Sequence, residues 1–136
     1  MGWKLDLVIV AVSDQERAKA FYVDTLGWTL IADDRIVDDF RVVEVRPPGS
    51  GCAIALMRNP AAAGSIEGLH VVVSDVGAAR AELLRRGAEV SEVFRFEDDA
   101  QVDGIDPQRR GYDAFCLFFD PDGTGWILHE PRPGSN

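Results

Sequence analysis

The feature that most limits how this chain can fold is that it repeats itself, and a repeat of this size means duplicated supersecondary units. The segment VIVAVSDQERAKAFYVDTLGW, from Val8 to Trp28, matches HVVVSDVGAARAELLRRGAEV, from His70 to Val90. Each is an apolar strand, the triplet Val-Ser-Asp, an alanine-rich helix and a glycine stop, with Asp14 aligned on Asp75. In the first copy Ser13 and Glu16 have capping-box spacing, and Ala18, Phe21, Tyr22 and Thr25 follow a helical stripe. In the second, Val76, Ala79 and Leu83 form the stripe, and Gly27 and Gly87 fit the position just past each helix.

The back halves align as well. VRPPGSGCAIAL, Val45 to Leu56, lies against FDPDGTGWILHE, Phe119 to Glu130, with Pro47 over Pro121 and Gly49 over Gly123. Each reads as strand, Pro/Gly turn, strand. With WTLIADD and AEVSEVF as the strands after the helices, each half becomes a β-α-β-β-β module, covering about residues 4–60 and 66–131 and joined by NPAAAGS. The expectation is an α+β fold of two tandem modules forming a single domain over residues 1–136, a length that suits one compact core.

Composition narrows the partners. Hydrophobic residues make up 46% and charged residues 27%, ordinary globular usage, so the chain should fold on its own. A net charge of -9 argues against nucleic acid, which needs clustered cations. The Asp-Asp pairs at 33–34, 38–39 and 98–99 read as solvated turns and faces. No apolar run approaches the roughly 20 residues that span a bilayer, and residues 1–12 lack the parts of a secretory signal, so a cytoplasmic protein without membrane contact is expected. In that setting Cys52 and Cys116 read as small buried hydrophobes rather than a disulfide.

The doubled modules, the run from Val12 to Trp28 and the DPDG turn before the last strand resemble the vicinal oxygen chelate superfamily. That superfamily includes glyoxalase I, extradiol dioxygenases, fosfomycin-resistance enzymes and bleomycin-binding proteins. The resemblance, which covers nearly the whole chain, implies curled mixed sheets enclosing a cavity. In metal-using relatives it also implies a metal held by His, Glu or Gln from four strands. Carried over by position, the four ligand places fall on Leu7, seven residues before Asp14, on Gly68, on Ile127 and on Ala53. None offers a lone pair to a divalent metal, so no cofactor is expected.

His129 and Glu130 neighbour each other on a strand, where side chains alternate, so they should point to opposite faces and cannot clasp one ion. His129 shares its face with Ile127 and His70 shares one with Gly68, so by the geometry of the resembled family both histidines should line the cavity. A displaced metal site using His70 and His129 is the alternative, although Ala55 and Ile9 supply no carboxylate beside them. The serines sit at caps and turns, and no Ser-His-Asp nucleophile stands out.

The segment Arg95–Phe115 is long and polar, and reads as a lid or binding loop with Arg109, Arg110 and Tyr112 as ligand contacts, or as a solvated connector. Trp28, Phe40, Phe94, Phe115 and Trp126 read mostly as core. Glu44 interrupts an apolar strand, as a cavity acid or on a solvated face.

The candidate cavity set is therefore Leu7, Ile9, Glu44, Ala53, His70, Arg109, Tyr112, Ile127 and His129. Mostly apolar with a few polar groups, it suits a metal-independent protein that binds a small, partly apolar molecule. The alternatives are an enzyme, either a divalent-metal lyase or dioxygenase with displaced ligands or a metal-free isomerase using His70 or Glu44 as base, and a scaffold without ligand. The resemblance also implies a homodimer.

Overall fold

The computed structural model describes residues 2–108 and 110–134. They fall into two compact units, one holding the chain up to Ile66 together with Asp120–Thr124, the other holding Glu67–Phe119 and the chain from Gly125 onward.

In the first unit β1 (Leu7–Val12), β2 (Thr29–Val37), β3 (Phe40–Arg46) and β4 (Ala53–Arg58) form a sheet in the order β1-β4-β3-β2. The β1–β4 pair is parallel and the others are antiparallel. Helix α1 (Gln15–Lys19) follows β1 and widens into a π-helical stretch, Ala20–Thr25. Strand alternation gives the sheet two faces. One carries Val10, Val12, Val43, Val45, Ile54 and Leu56, all buried, with Ala18 and Tyr22 of the helical segment buried alongside. Each such aliphatic side chain contributes about 1.5–3 kcal/mol through lost water contact.

Helix α1 begins one residue later than capping-box spacing suggests. Asp14 is the N-cap, accepting from the Arg17 backbone N–H at 3.1 Å. Ser13 is instead drawn to the DPDG turn, its backbone N–H donating to Asp122 Oδ2 at 3.0 Å and its hydroxyl to Oδ1 at 2.5 Å. Arg17 donates to the same carboxylate at 3.0 Å. Burial pushes the Asp122 carboxyl up, but the Ser13 hydrogen bonds and the Arg17 charge outweigh it and hold it below the ordinary value. The connector after β4 meets this turn too: a Cβ at Gly64, which has φ +79°, would lie 2.3 Å from the Asp122 carbonyl oxygen, so only glycine fits.

The second unit builds the same motif with an addition. Strands β5 (Leu69–Val72), β10 (Gly125–Glu130), β9 (Ala114–Phe119), β7 (Phe94–Glu97) and β8 (Ala100–Asp103) run in that order, and β6 (Glu89–Val90) pairs with β9 beyond β7. Trp126, Leu128, Phe118, Cys116 and Ala114 are buried on one face, as is Val76 of α2 (Val76–Arg85). The rings of Trp126 and Phe118 stack at 5.9 Å. Asp75 caps α2 through the Ala78 N–H, and Gly27 (φ 76°) and Gly87 (φ 83°) follow the two helical segments.

The long polar segment is not wholly a loop. Its first part forms the β7–β8 hairpin, turned by Asp98 and Asp99, both at positive φ (51° and 67°). Two consecutive positive-φ residues are what a twisted two-residue hairpin turn requires. Among the described residues no helix is long and apolar enough to cross a membrane.

Candidate functional site

The second unit presents an aromatic surface on the sheet face opposite its buried tryptophan. Cross-strand register creates it: His129 of β10 lies opposite Phe115 of β9, which lies opposite Phe94 of β7. Adjacent strands are spaced about 4.8 Å apart, so rings in one row stack. Phe115 stacks on His129 with centroids 4.8 Å apart and planes 21° apart, and Phe94 stacks on Phe115 at 5.7 Å and 27°. Phe96, two residues along β7 and half exposed, meets both phenylalanines edge-on. On the other side His70 meets His129 edge-on at 6.0 Å, and His70 pairs in register with Ile127. Phe94 and Phe115 thus stay only half-buried on this surface, whereas Trp28 and Trp126 are buried and Phe40 is exposed.

One end of the surface is polar. Asp113 Oδ2 lies 2.7 Å from His129 Nε2, and Asp113 Oδ1 accepts from the Arg132 backbone N–H at 2.8 Å and from its guanidinium at 3.1 Å. Burial pushes the Asp113 carboxyl up, but the hydrogen bonds from His129 and Arg132 outweigh it, so it stays ionised below the usual carboxylate range. Glu130 departs in the opposite direction: its Oε1 accepts from the Val76 backbone N–H at 2.9 Å, at the start of α2. The adjacent His129 and Glu130 therefore serve different faces. Asp113 was not among the residues the sequence singled out. Its signal was its place two residues before Phe115, the cross-strand partner of His129.

The first unit has its own apolar face opposite α1. Leu7 lies beside Ala53, and Ile9, Ala55, Glu44 and Ala32 form one cross-strand row. Glu44 thus stands on the face that Leu7, Ile9 and Ala53 share, which sequence alone left undecided. Leu7 and Ile9 are exposed, whereas Ala55 is buried.

The positions that correspond to a metal site do not fit one. Leu7, Ala53 and Ile127 carry hydrocarbon side chains, and Gly68 precedes β5 at φ +82°. Among the described residues no three or more His, Cys, Asp or Glu side chains are gathered so as to hold a metal. Of the residues expected to contact ligand from the polar segment, Arg109 lies outside the described residues. Tyr112 is half-buried just before β9. Arg110 is engaged within its own turn, where its guanidinium and backbone N–H donate to Asp106 and hold that carboxyl down to about 2. Cys116 faces the buried side of its sheet, where burial pushes its thiol up to about 11 and leaves it protonated and unreactive.

Comparison with known proteins agrees with this architecture. A family model described as the Glyoxalase/Bleomycin resistance protein/Dioxygenase superfamily matches residues 4–128. The crystal structure of TnmS3, an antibiotic binding protein from Streptomyces sp. CB03234, is 36% identical, with a TM-score of 0.71 over 95% of this chain and 96% of that one. A glyoxalase/bleomycin resistance protein from the same Streptomyces is likewise 36% identical, with a TM-score of 0.69 over 93% of this chain and all of that one. YetH, an uncharacterized protein of Bacillus subtilis, is 22% identical over 93% of this chain and 98% of its own length. The chain therefore belongs to the glyoxalase/bleomycin resistance protein/dioxygenase superfamily.

Proposed function

We propose that this protein binds a small, partly apolar molecule without a metal ion, as a cytoplasmic homodimer whose role is capture or sequestration rather than turnover. The observation that carries this reading is the half-buried row of Phe94, Phe115 and His129, aromatic rings stacked across three strands with a hydrogen-bonding group at one end. Small-molecule sites are commonly built this way, largely apolar with a few fixed polar groups. The antibiotic binding protein at 36% identity supports the reading by similarity. Leu7, Ile9, Ala53 and Glu44 in the first unit and His70, Tyr112 and Ile127 in the second are assigned to ligand contact, and the hydrocarbon side chains at the metal positions support metal independence.

Elemental analysis of tag-free protein, with native mass spectrometry on the same sample, tests it. A dimer mass, no stoichiometric metal and a co-purified organic mass would support the proposal. One equivalent of nickel, zinc, iron or manganese per chain would overturn it in favour of a lyase or dioxygenase with displaced ligands.

The Asp113–His129 pair favours a second reading, a metal-free isomerase, because a carboxylate that orients a histidine is also how a general base is prepared. Turnover that follows pH and vanishes in His129→Ala would establish that reading.

A further inference from the structure

We propose that the polar cleft beside the start of α1, in the first unit, binds a polyhydroxylated monocarboxylate, a molecule of the sugar-acid class. Its carboxylate pairs with Arg35 and Arg58, and its hydroxyls donate to Gln15 Oε1 and Asp39. This site is independent of the aromatic row and stands whether or not that row holds a ligand.

Cross-strand register assembles the cleft. Arg35 of β2 lies opposite Arg41 of β3, and the register that sets Val43 opposite Leu56 carries Arg58 of β4 to the other side of Arg41. The three arginines therefore stand in one row on the helix-facing side of the sheet. The outer two are two strand spacings apart, roughly 10 Å, a gap that two arginine side chains can close. Residues 13–16 and Asp39 complete a cleft of about 610 Å³, and none of its lining residues is a hydrocarbon residue.

The middle arginine shows what the row recognises. Arg41 holds Asp33 as a fork, Nε donating to Oδ1 and Nη2 to Oδ2, each at 2.8 Å, and Glu16 also pairs with Nη2 at 2.6 Å. Arg35 and Arg58 have no such partner. Among the described arginines only these two and Arg46 lack a carboxylate, although the chain has 23 acidic residues against 14 basic ones. Like charges in one cross-strand row repel, and a carboxylate laid across the outer pair relieves that repulsion. A more highly charged anion is disfavoured, because Asp14, Glu16 and Asp39 line the same cleft.

The floor of the cleft is buried and incompletely bonded. Gln15 and Arg41 are each 9% exposed. Gln15 Nε2 donates to the backbone carbonyls of Arg41 and Leu56 at 2.7 and 2.8 Å, and since carbonyls only accept, the amide keeps Oε1 turned away from them. Neither Gln15 Oε1 nor Arg41 Nη1 has a hydrogen-bond partner among the described residues. There the Thr124 hydroxyl is the only sealed side-chain polar atom without one, so Oε1 and Nη1 open on the cleft that both residues line. The floor thus offers one donor to a carboxylate and one acceptor to a hydroxyl. An apolar acid would strip water from Asp39 and Gln15 without replacing it, whereas hydroxyls restore those hydrogen bonds.

The test follows the arginine side-chain signals of the full chain by nitrogen-15 NMR during titration with D-gluconate, hexanoate, D-glucose and inorganic phosphate. Gluconate should shift the Arg35 and Arg58 signals saturably. Hexanoate, which lacks the hydroxyls, and glucose, which lacks the carboxylate, should each bind at least about fivefold more weakly. The double variant Arg35→Gln, Arg58→Gln alters two exposed side chains, so it should keep the wild-type unfolding midpoint and bind gluconate at least about tenfold more weakly. Arg46→Gln, which removes an equal charge outside the cleft, should bind as the wild type does. No saturable shift with gluconate, equal binding of hexanoate or glucose, tighter binding of phosphate, or undiminished binding by the double variant would each overturn the proposal.

Discussion

The Tyr22 hydroxyl donates to Asp120 Oδ2 at 2.8 Å, joining the helical segment of the first module to a turn 98 residues further along the chain. Asp120 Oδ1 also accepts from the backbone N–H groups of Asp122 and Thr124, each at 2.9 Å, so the carboxylate organises the DPDG turn and anchors it at once. Both residues are buried. Replacing Tyr22 with Phe should cost about 1–3 kcal/mol, because the carboxylate loses a donor without gaining water. Urea unfolding of the two proteins measures the difference, and a change below 0.5 kcal/mol, about the scatter of a neutral surface substitution, would remove the anchoring role.

Acid sensitivity should run through Asp33. Hydrogen bonds from Arg41 and Lys19 hold its carboxyl well below the ordinary range, and Arg41 in turn stays charged beside Asp33 and Glu16. The folded state then binds this proton less readily than the unfolded chain. The stabilisation is fully present above the unfolded value near pH 4 and is lost as pH falls through the depressed folded one. Asp33→Asn should flatten the fall in stability below about pH 4, read from thermal unfolding across that range.

The two faces of the first sheet predict opposite outcomes for neighbouring strands. Leu56 is fully buried on the helix-facing side, and Leu56→Ala should cost about 2–5 kcal/mol. Ile9 is 60% exposed on the other side, and Ile9→Ala should change stability by under about 1 kcal/mol while weakening ligand binding. Equal destabilisation by the two substitutions would contradict the assignment of faces.

The β7–β8 turn holds Asp99 at φ 67°. A β-branched residue resists that conformation and glycine accepts it, so Asp99→Val should lose about 1–2 kcal/mol and Asp99→Gly should lose nothing or gain slightly. Denaturant midpoints of the pair decide whether the hairpin contributes to the cooperative fold.

The two thiols should differ in reactivity. Near pH 8 iodoacetamide should modify half-buried Cys52 in the native protein and leave Cys116, buried with its thiol raised to about 11, until the chain unfolds. Mass spectrometry of native and unfolded samples distinguishes the sites.

Sequence by itself determined the duplicated module, the two helices and their glycine stops, because these rest on local chemistry: a stripe at helical period and a positive-φ stop; the caps themselves, Asp14 and Asp75, it did not name. It also separated His129 from Glu130, since strand alternation follows from pleating alone. It did not reveal the β7–β8 hairpin, where FRFEDDAQVD hides its alternation among charges and turns on two aspartates instead of the commoner Asn-Gly. Nor did it show that Ser13 serves Asp122 in preference to its own helix. Only tertiary structure decided the face on which Glu44 stands and brought Asp113 against His129, 16 residues away. The physical reason is register. Local propensity says that a residue lies on a strand, but which residue sits opposite it depends on how distant strands slide into alignment, and that is set by burial of the whole sheet face.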